Sequence, residues 1–256
     1  MNAWFHLVKK EMRLGFVAFL IPIVAFIVCL MMAVYLKRNS EYIWEVVGTI
    51  AFIATGMTIL YLVYFLFITL NTEQKRLHLW LHSPMKGYGL LSAKLVSGFI
   101  YLLFTMFITG AVGWISYRQS EISNISFEGI NIGSFVFFIV AHLLWIAVSF
   151  AIVFMLFSVI YLVLKKYLPS FFSFVVTFLL FVLFVVLYGY FAESSVYEWL
   201  TMWGKINLSE QFYNFPFLME ILTPEEEIEL RANASIYIGF YVFEGLVSLA
   251  MFLLAS

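Results

Sequence analysis

Two side chains able to do acid–base chemistry stand inside long apolar runs of this sequence, His142 and Glu244. A carboxylate at the centre of a bilayer costs roughly 2.5–3.5 kcal/mol on insertion scales. Glu244, near the middle of the run 234–256, is therefore expected to face protein, water or a partner subunit. It either hydrogen-bonds between helices or lines a substrate path, with His142 of the run 132–164 as a milder second group. Two such groups make a thin proton relay, because relays thread several ionisable groups through the membrane. Other chemistry is missing. Gly204-Lys205 is followed by Ile206, so no phosphate-binding Gly-x-x-x-x-Gly-Lys-Ser/Thr loop exists. His78 and His82 lack the intervening Glu of a zinc-binding His-Glu-x-x-His and serve helix solubility. No Asp occurs to complete a Ser–His–Asp triad, and a single cysteine, Cys29, excludes an internal disulfide or a multi-cysteine metal site. The expectation is a chain that is not itself an enzyme and holds no metal or cofactor.

These groups sit in a chain of 256 residues that is 64% hydrophobic, 20% aromatic and 11% charged. Soluble domains are roughly 45–50% apolar and about 25% charged, so this chain must bury apolar surface in lipid. A net charge of −1 removes the electrostatic case for nucleic-acid binding. About 20 apolar residues cross a bilayer as a helix, and the runs 15–36, 46–70, 86–117, 132–164, 168–192 and 234–256 meet that length. They are continuous rather than alternating, which argues against a β-barrel. The expected fold is all-α, a single polytopic membrane domain with six transmembrane helices. Pro22 and Pro169 fall near the expected span starts, where a missing N–H costs little. No cleavable signal pattern is evident in the first 14 residues.

Lys and Arg set the orientation. Lys9, Lys10, Arg13, Lys75, Arg76, Lys86, Lys94, Lys165 and Lys166 fall on one side, against Lys37, Arg38, Arg118, Lys205 and Arg231 on the other. The nine-to-five split places both termini in the cytoplasm, although the Lys37–Arg38 pair opposes it. Residues 1–14 read as an interfacial helix: Trp4, Phe5, Val8 and Met12 share one face, and His6, Lys9, Lys10 and Arg13 gather opposite, with Glu11 breaking the pattern. Such a helix would lie flat on the cytoplasmic leaflet before the chain turns into the first span.

The stretch 71–84 is the longest polar interruption on that side. Asn71 or Thr72 could cap a helix with Glu73 in its first turn, and Leu77, Trp80 and Leu81 would then share a face. Lys75, His78 and His82 point elsewhere, and Ser83-Pro84 ends the element. A short amphipathic helix of this kind suits either a groove on another protein or the lipid surface. On the opposite side, residues 192–233 carry eight Glu against Lys205 and Arg231, many aromatics, and a strong helix start at Thr223-Pro224-Glu225. This segment is expected to form a small external cap, a solvated face anchored to lipid by its aromatics or one that attracts cationic amphipathic molecules. Asn124, Asn207 and Asn233 begin Asn-x-Ser triplets there, a tripeptide common by chance.

Six spans, an amphipathic N-terminus and a polar helix between spans two and three resemble the membrane subunits of type-2 ATP-binding-cassette (ABC) exporters. The stretch characteristic of that family, Glu-x-x-x-Gly-Thr-x-x-x-Leu-Leu-x-Ser/Thr-Pro followed by a Lys entering span three, is matched by Glu73, by Leu79 to Leu81, by Ser83-Pro84 and by Lys94. Leu77 and His78 stand near the place of the usual Gly-Thr. The resemblance implies an elbow helix over 1–14, with Trp4, Phe5, Lys9, Lys10 and Arg13 at the interface. It also implies a coupling helix over 72–84, with Glu73, Gln74, Lys75, Arg76, Leu77, His78, Trp80 and Leu81 meeting a separate ATPase subunit. The implied assembly is a plasma-membrane permease paired with a second copy of itself or a paralogue, using ATP and Mg held by the ATPase subunits. Its path would run along spans two and five. Small permeases of this size include exporters of amphipathic peptides such as phenol-soluble modulins, and self-immunity transporters against peptide antibiotics. The alternative expectation, from another class, is an ion-coupled secondary transporter or channel that uses Glu244. A third is a membrane scaffold or peptide sensor without transport activity.

Overall fold

A computed structural model describes residues 3–37, 40, 42–74, 87–120, 132–207 and 235–256. Helix α1 covers Ala3–Lys37 and α2 covers Ile43–Met57, followed without a break by a 3-10 turn at Thr58–Leu60 and by α3, Tyr61–Gln74. Then come α4, Gly87–Gln119, α5, Ile132–Leu164, α6, Ser170–Ala192, and the short α7, Ser195–Thr201. Strand β1 (Lys205–Asn207) pairs antiparallel with β2 (Ser235–Tyr237), and α8 is Ile238–Ala255. Six helical stretches are long and apolar enough to cross a membrane, counting α2, the 3-10 turn and α3 as one. The expected runs 46–70, 86–117, 132–164 and 168–192 match their stretches to within a few residues, and 15–36 lies inside the longer first one.

Four local expectations are corrected. No break separates residues 3–14 from the first span, because α1 is one helix through Lys37. At 1.5 Å per residue it is about 50 Å long, more than the roughly 30 Å of hydrocarbon. Pro22 is consequently inside a helix rather than near its start, where it removes one backbone donor that neighbouring helices can compensate. Pro169, in contrast, stands at the N-cap of α6. Residues 71–72 start no new helix: α3 runs on to Gln74, and the Thr72 hydroxyl donates back to the Ile68 carbonyl at 2.8 Å. Finally, 235–237 is a strand and not the beginning of the last span, so the described chain is not purely helical.

The described residues divide into two compact units, one of residues 1–126, 140–154 and 256, the other of 127–139 and 155–255. In the first, α4 is the centre, packed against α1, α2 and α3. Phe65 of α3 is fully buried where Gly15 of α1 and Gly98 of α4 leave room for its ring, and a methyl group at either glycine would overlap it. Small residues similarly let α2 approach α4. Gly48 faces Ser116, Ala51 faces Gly113, and Thr55 donates to Thr109 at 3.0 Å. Close packing of small residues with hydroxyl bonds drives helix association where lipid supplies no hydrophobic force.

In the second unit, Phe157 of α5 meets Phe181 and Phe184 of α6 edge-on, with ring centroids 5.3 and 5.8 Å apart. The chain leaves α6 through Ser194, whose Oγ accepts from the Tyr197 N–H and caps α7. Gly204 has φ of +69°, a left-handed conformation that turns the chain into β1.

Candidate functional site

The start of α1 meets the start of α4 through three polar contacts. The Lys94 ammonium reaches the Glu11 carboxylate at 2.6 Å, with both side chains almost completely buried (1% and 3% exposed). Trp4 Nε1 donates to Ser92 Oγ at 3.2 Å, and the Tyr101 hydroxyl donates to the Met12 carbonyl at 2.8 Å. Val8, on the same stretch, is buried. The apolar face expected to rest in lipid is thus partly occupied by α4. Of the interfacial residues expected there, Trp4 is half-buried in that contact, Phe5 is exposed, and Lys9, Lys10 and Arg13 are exposed. Lys9 and Arg13 border a shallow cleft of about 350 Å³ with Met12, Phe16 and Tyr101. Removing one partner of a buried ion pair strands the other charge, so Glu11 and Lys94 fix how the N-terminal end of α1 lies on α4.

The stretch expected to be a coupling helix connects α3 to α4. Glu73 and Gln74 close α3. Lys75, Arg76, Leu77, His78, Trp80 and Leu81 lie outside the described residues, as do Asn124, Asn233, Arg231 and the helix start at Thr223-Pro224. The two helices flanking this stretch do pack on each other, through Phe65 against Gly98 and Tyr101. An apolar groove of about 710 Å³ runs among α1, α2 and α4, with Phe26, Ile50 and Ile53 on its walls and Thr105 and Thr109 supplying hydroxyls.

Glu244 belongs to the second unit and His142 to the first. His142 is half-buried within α5. Glu244 stands six residues into the 18-residue α8, about 9 Å from its start at 1.5 Å per residue and near the middle of the helix, as expected. Its Oε1 accepts two phenolic hydrogen bonds, a short one from Tyr188 of α6 and one of 3.0 Å from Tyr197 of α7. Around it the rings of Tyr188, Phe191, Tyr197 and Phe243 contact one another, with Tyr197 edge-on to Phe191 at 5.5 Å and to Phe243 at 5.6 Å. Burial, and then the adjacent Glu244 carboxylate, push the Tyr197 phenol above its ordinary range, so it stays a proton donor. Gly239 makes this junction close, since a methyl group there would collide with the Thr201 carbonyl and the Trp203 ring.

Sequence reasoning singled out Glu244 but not Tyr188 or Tyr197, and it read Glu11 as a flaw in an amphipathic pattern. The usable signal was charge in apolar context: Glu11 beside a helix face and Lys94 inside a run each require a partner. Among the described residues, no group of three or more His, Cys or Glu could hold a metal. Comparison with known protein families, with characterised proteins and with solved structures gives no match for the chain; the described residues hold six helices long and apolar enough to cross a membrane, which fits a multi-pass membrane protein.

Proposed function

We propose that this chain is the permease subunit of an ATP-driven exporter of the ABC type, moving an amphipathic substrate such as a peptide with the help of separate ATPase subunits. The observation that carries the reading is mechanical. The stretch 72–84, amphipathic in sequence, overlaps the end of α3 and leads to α4, and α4 is tied by the buried Glu11–Lys94 pair to the N-terminal end of α1. A push on that stretch would therefore move three helices as one body. Glu73 and Trp80 would meet the ATPase subunit, and two copies of the chain would enclose the path.

Reconstitution with an ATPase subunit tests this. Glu73→Lys or Trp80→Ala should lower transport by about tenfold or more while ATP hydrolysis continues, the expected signature of lost coupling when one charge-assisted or aromatic anchor is removed. Transport unaltered in both variants would remove the docking role. The second reading, a secondary transporter, draws on the half-buried Glu244 carboxylate held by two phenols. Flux through the chain alone, driven by a pH gradient and abolished by Glu244→Gln, would favour it and end the ABC reading.

A further inference from the structure

We propose that Glu244 and the aromatic rings around it form a recognition site for a primary ammonium or guanidinium group carried by an amphiphile. Three observations point there. First, both phenols donate to the same oxygen, Oε1, leaving Oε2 without a hydrogen bond among the described residues. The Glu244 side chain is half-buried, so it is partly open to the surroundings. The phenols orient the carboxyl group, and no Lys or Arg among the described residues pairs with it.

Second, the two phenols that hold the carboxylate belong to an aromatic cluster with Phe191 and Phe243, all half-exposed. Ring faces attract cations and reject anions, and a carboxylate in the same place adds a charge-assisted hydrogen bond to N–H donors. A neutral donor would gain only the second contact, and a quaternary ammonium only the first. Ammonium and guanidinium gain both.

Third, depth matches an amphiphile. Glu244 lies about 9 Å inside α8, while Trp199 and Tyr190 near the same helix ends are strongly exposed, as aromatic residues at a membrane interface are. Along the face of α8 that carries Glu244, the following turns present Val247 and Met251, half-exposed and apolar. A ligand with its cation on Glu244 has an apolar track for its tail.

This inference stands on the second unit alone and does not depend on the ABC reading. It is therefore tested by binding to the purified full chain without any ATPase subunit. In nanodiscs of phosphatidylcholine, dodecylammonium should bind at least about tenfold more tightly than dodecanol, and Glu244→Gln should erase that preference while leaving dodecanol binding unchanged. Glutamine keeps an acceptor for Tyr188 and Tyr197, and the melting temperature of the variant checks that the junction survives. Phe243→Leu leaves the carboxylate in place and should weaken dodecylammonium about two- to fivefold; it decides the matter should the glutamine variant not fold. Two further arms separate the sources of the cation. Adding phosphatidylethanolamine to the nanodisc lowers dodecylammonium affinity if a lipid headgroup is the occupant, whereas displacement only by a lysine-bearing amphipathic helical peptide identifies a soluble amphiphile. Equal binding of dodecylammonium and dodecanol by the unaltered chain, or equal dodecylammonium binding by the Glu244→Gln chain, overturns the proposal.

Discussion

Glu11 and Glu244 are both carboxylates within helices apolar enough to cross a membrane, and the protein treats them in opposite ways. Glu11 is almost completely buried and meets a lysine from a helix 83 residues further along the chain. Glu244 is half-buried and meets two neutral phenols, with no cation among the described residues beside it. An internal cation settles the charge of Glu11 and turns it into a fastening between α1 and α4. Two phenols hold and orient the Glu244 carboxyl group and bring no cation to it. A carboxylate that is anchored and still uncompensated is one that can accept something from outside.

The sharpest way to break this contrast is to strand the buried charge. Lys94→Met should destabilise the protein by about 3–5 kcal/mol, read as a large drop in thermal midpoint in detergent, because the buried Glu11 carboxylate then loses the ammonium that lies 2.6 Å from it. The paired change Glu11→Leu with Lys94→Met should recover most of that loss, since apolar replacement of both members of a buried pair is often neutral. Equal stability of the single and double variants would mean that the pair fastens nothing. Glu244→Gln, in contrast, should change stability by less than about 1–2 kcal/mol, the net value of hydrogen bonds to a charged group partly re-formed by the amide, while removing the ammonium preference. Tyr188→Phe and Tyr197→Phe should each cost about 0.5–1.5 kcal/mol, and a double-mutant cycle with Glu244→Gln should show coupling for both. The smallest effect belongs to Trp4→Phe, which removes the bond to Ser92 and keeps an aromatic ring; about 0.5–1 kcal/mol is expected.

Much of the architecture is legible in the order of the residues. Run length and composition identify the six long apolar helices of the described residues, and the ends of α4, α5 and α6 lie within two residues of the expected 86–117, 132–164 and 168–192. The errors fall at junctions. Residues 3–14 carry a two-faced pattern that fits an interfacial helix, yet the same face fits α4, and helix packing removed the turn after residue 14. Thr72 has the chemistry of an N-cap, yet inside a continuing helix its hydroxyl bonds to the preceding turn. The strand at 235–237 was hidden because Ile236 and Tyr237 extend the hydrophobic run, and only pairing with 205–207 distinguishes strand from helix there.

Of the candidate sites, the sequence by itself singled out Glu244, because the cost of a carboxylate in hydrocarbon depends only on local context. It likewise determined how many helices among the described residues are long and apolar enough to cross a membrane, since that is a property of one continuous segment whose backbone satisfies its own hydrogen bonds. Which side chains answer those charges was decided by tertiary structure alone. Lys94 reaches Glu11, and Tyr188 and Tyr197 reach Glu244, across separations that no helical period encodes. Partnership between distant residues follows from how helices pack, and packing is fixed by small residues such as Gly15, Gly98 and Gly239 whose importance shows only when the opposing surface is present.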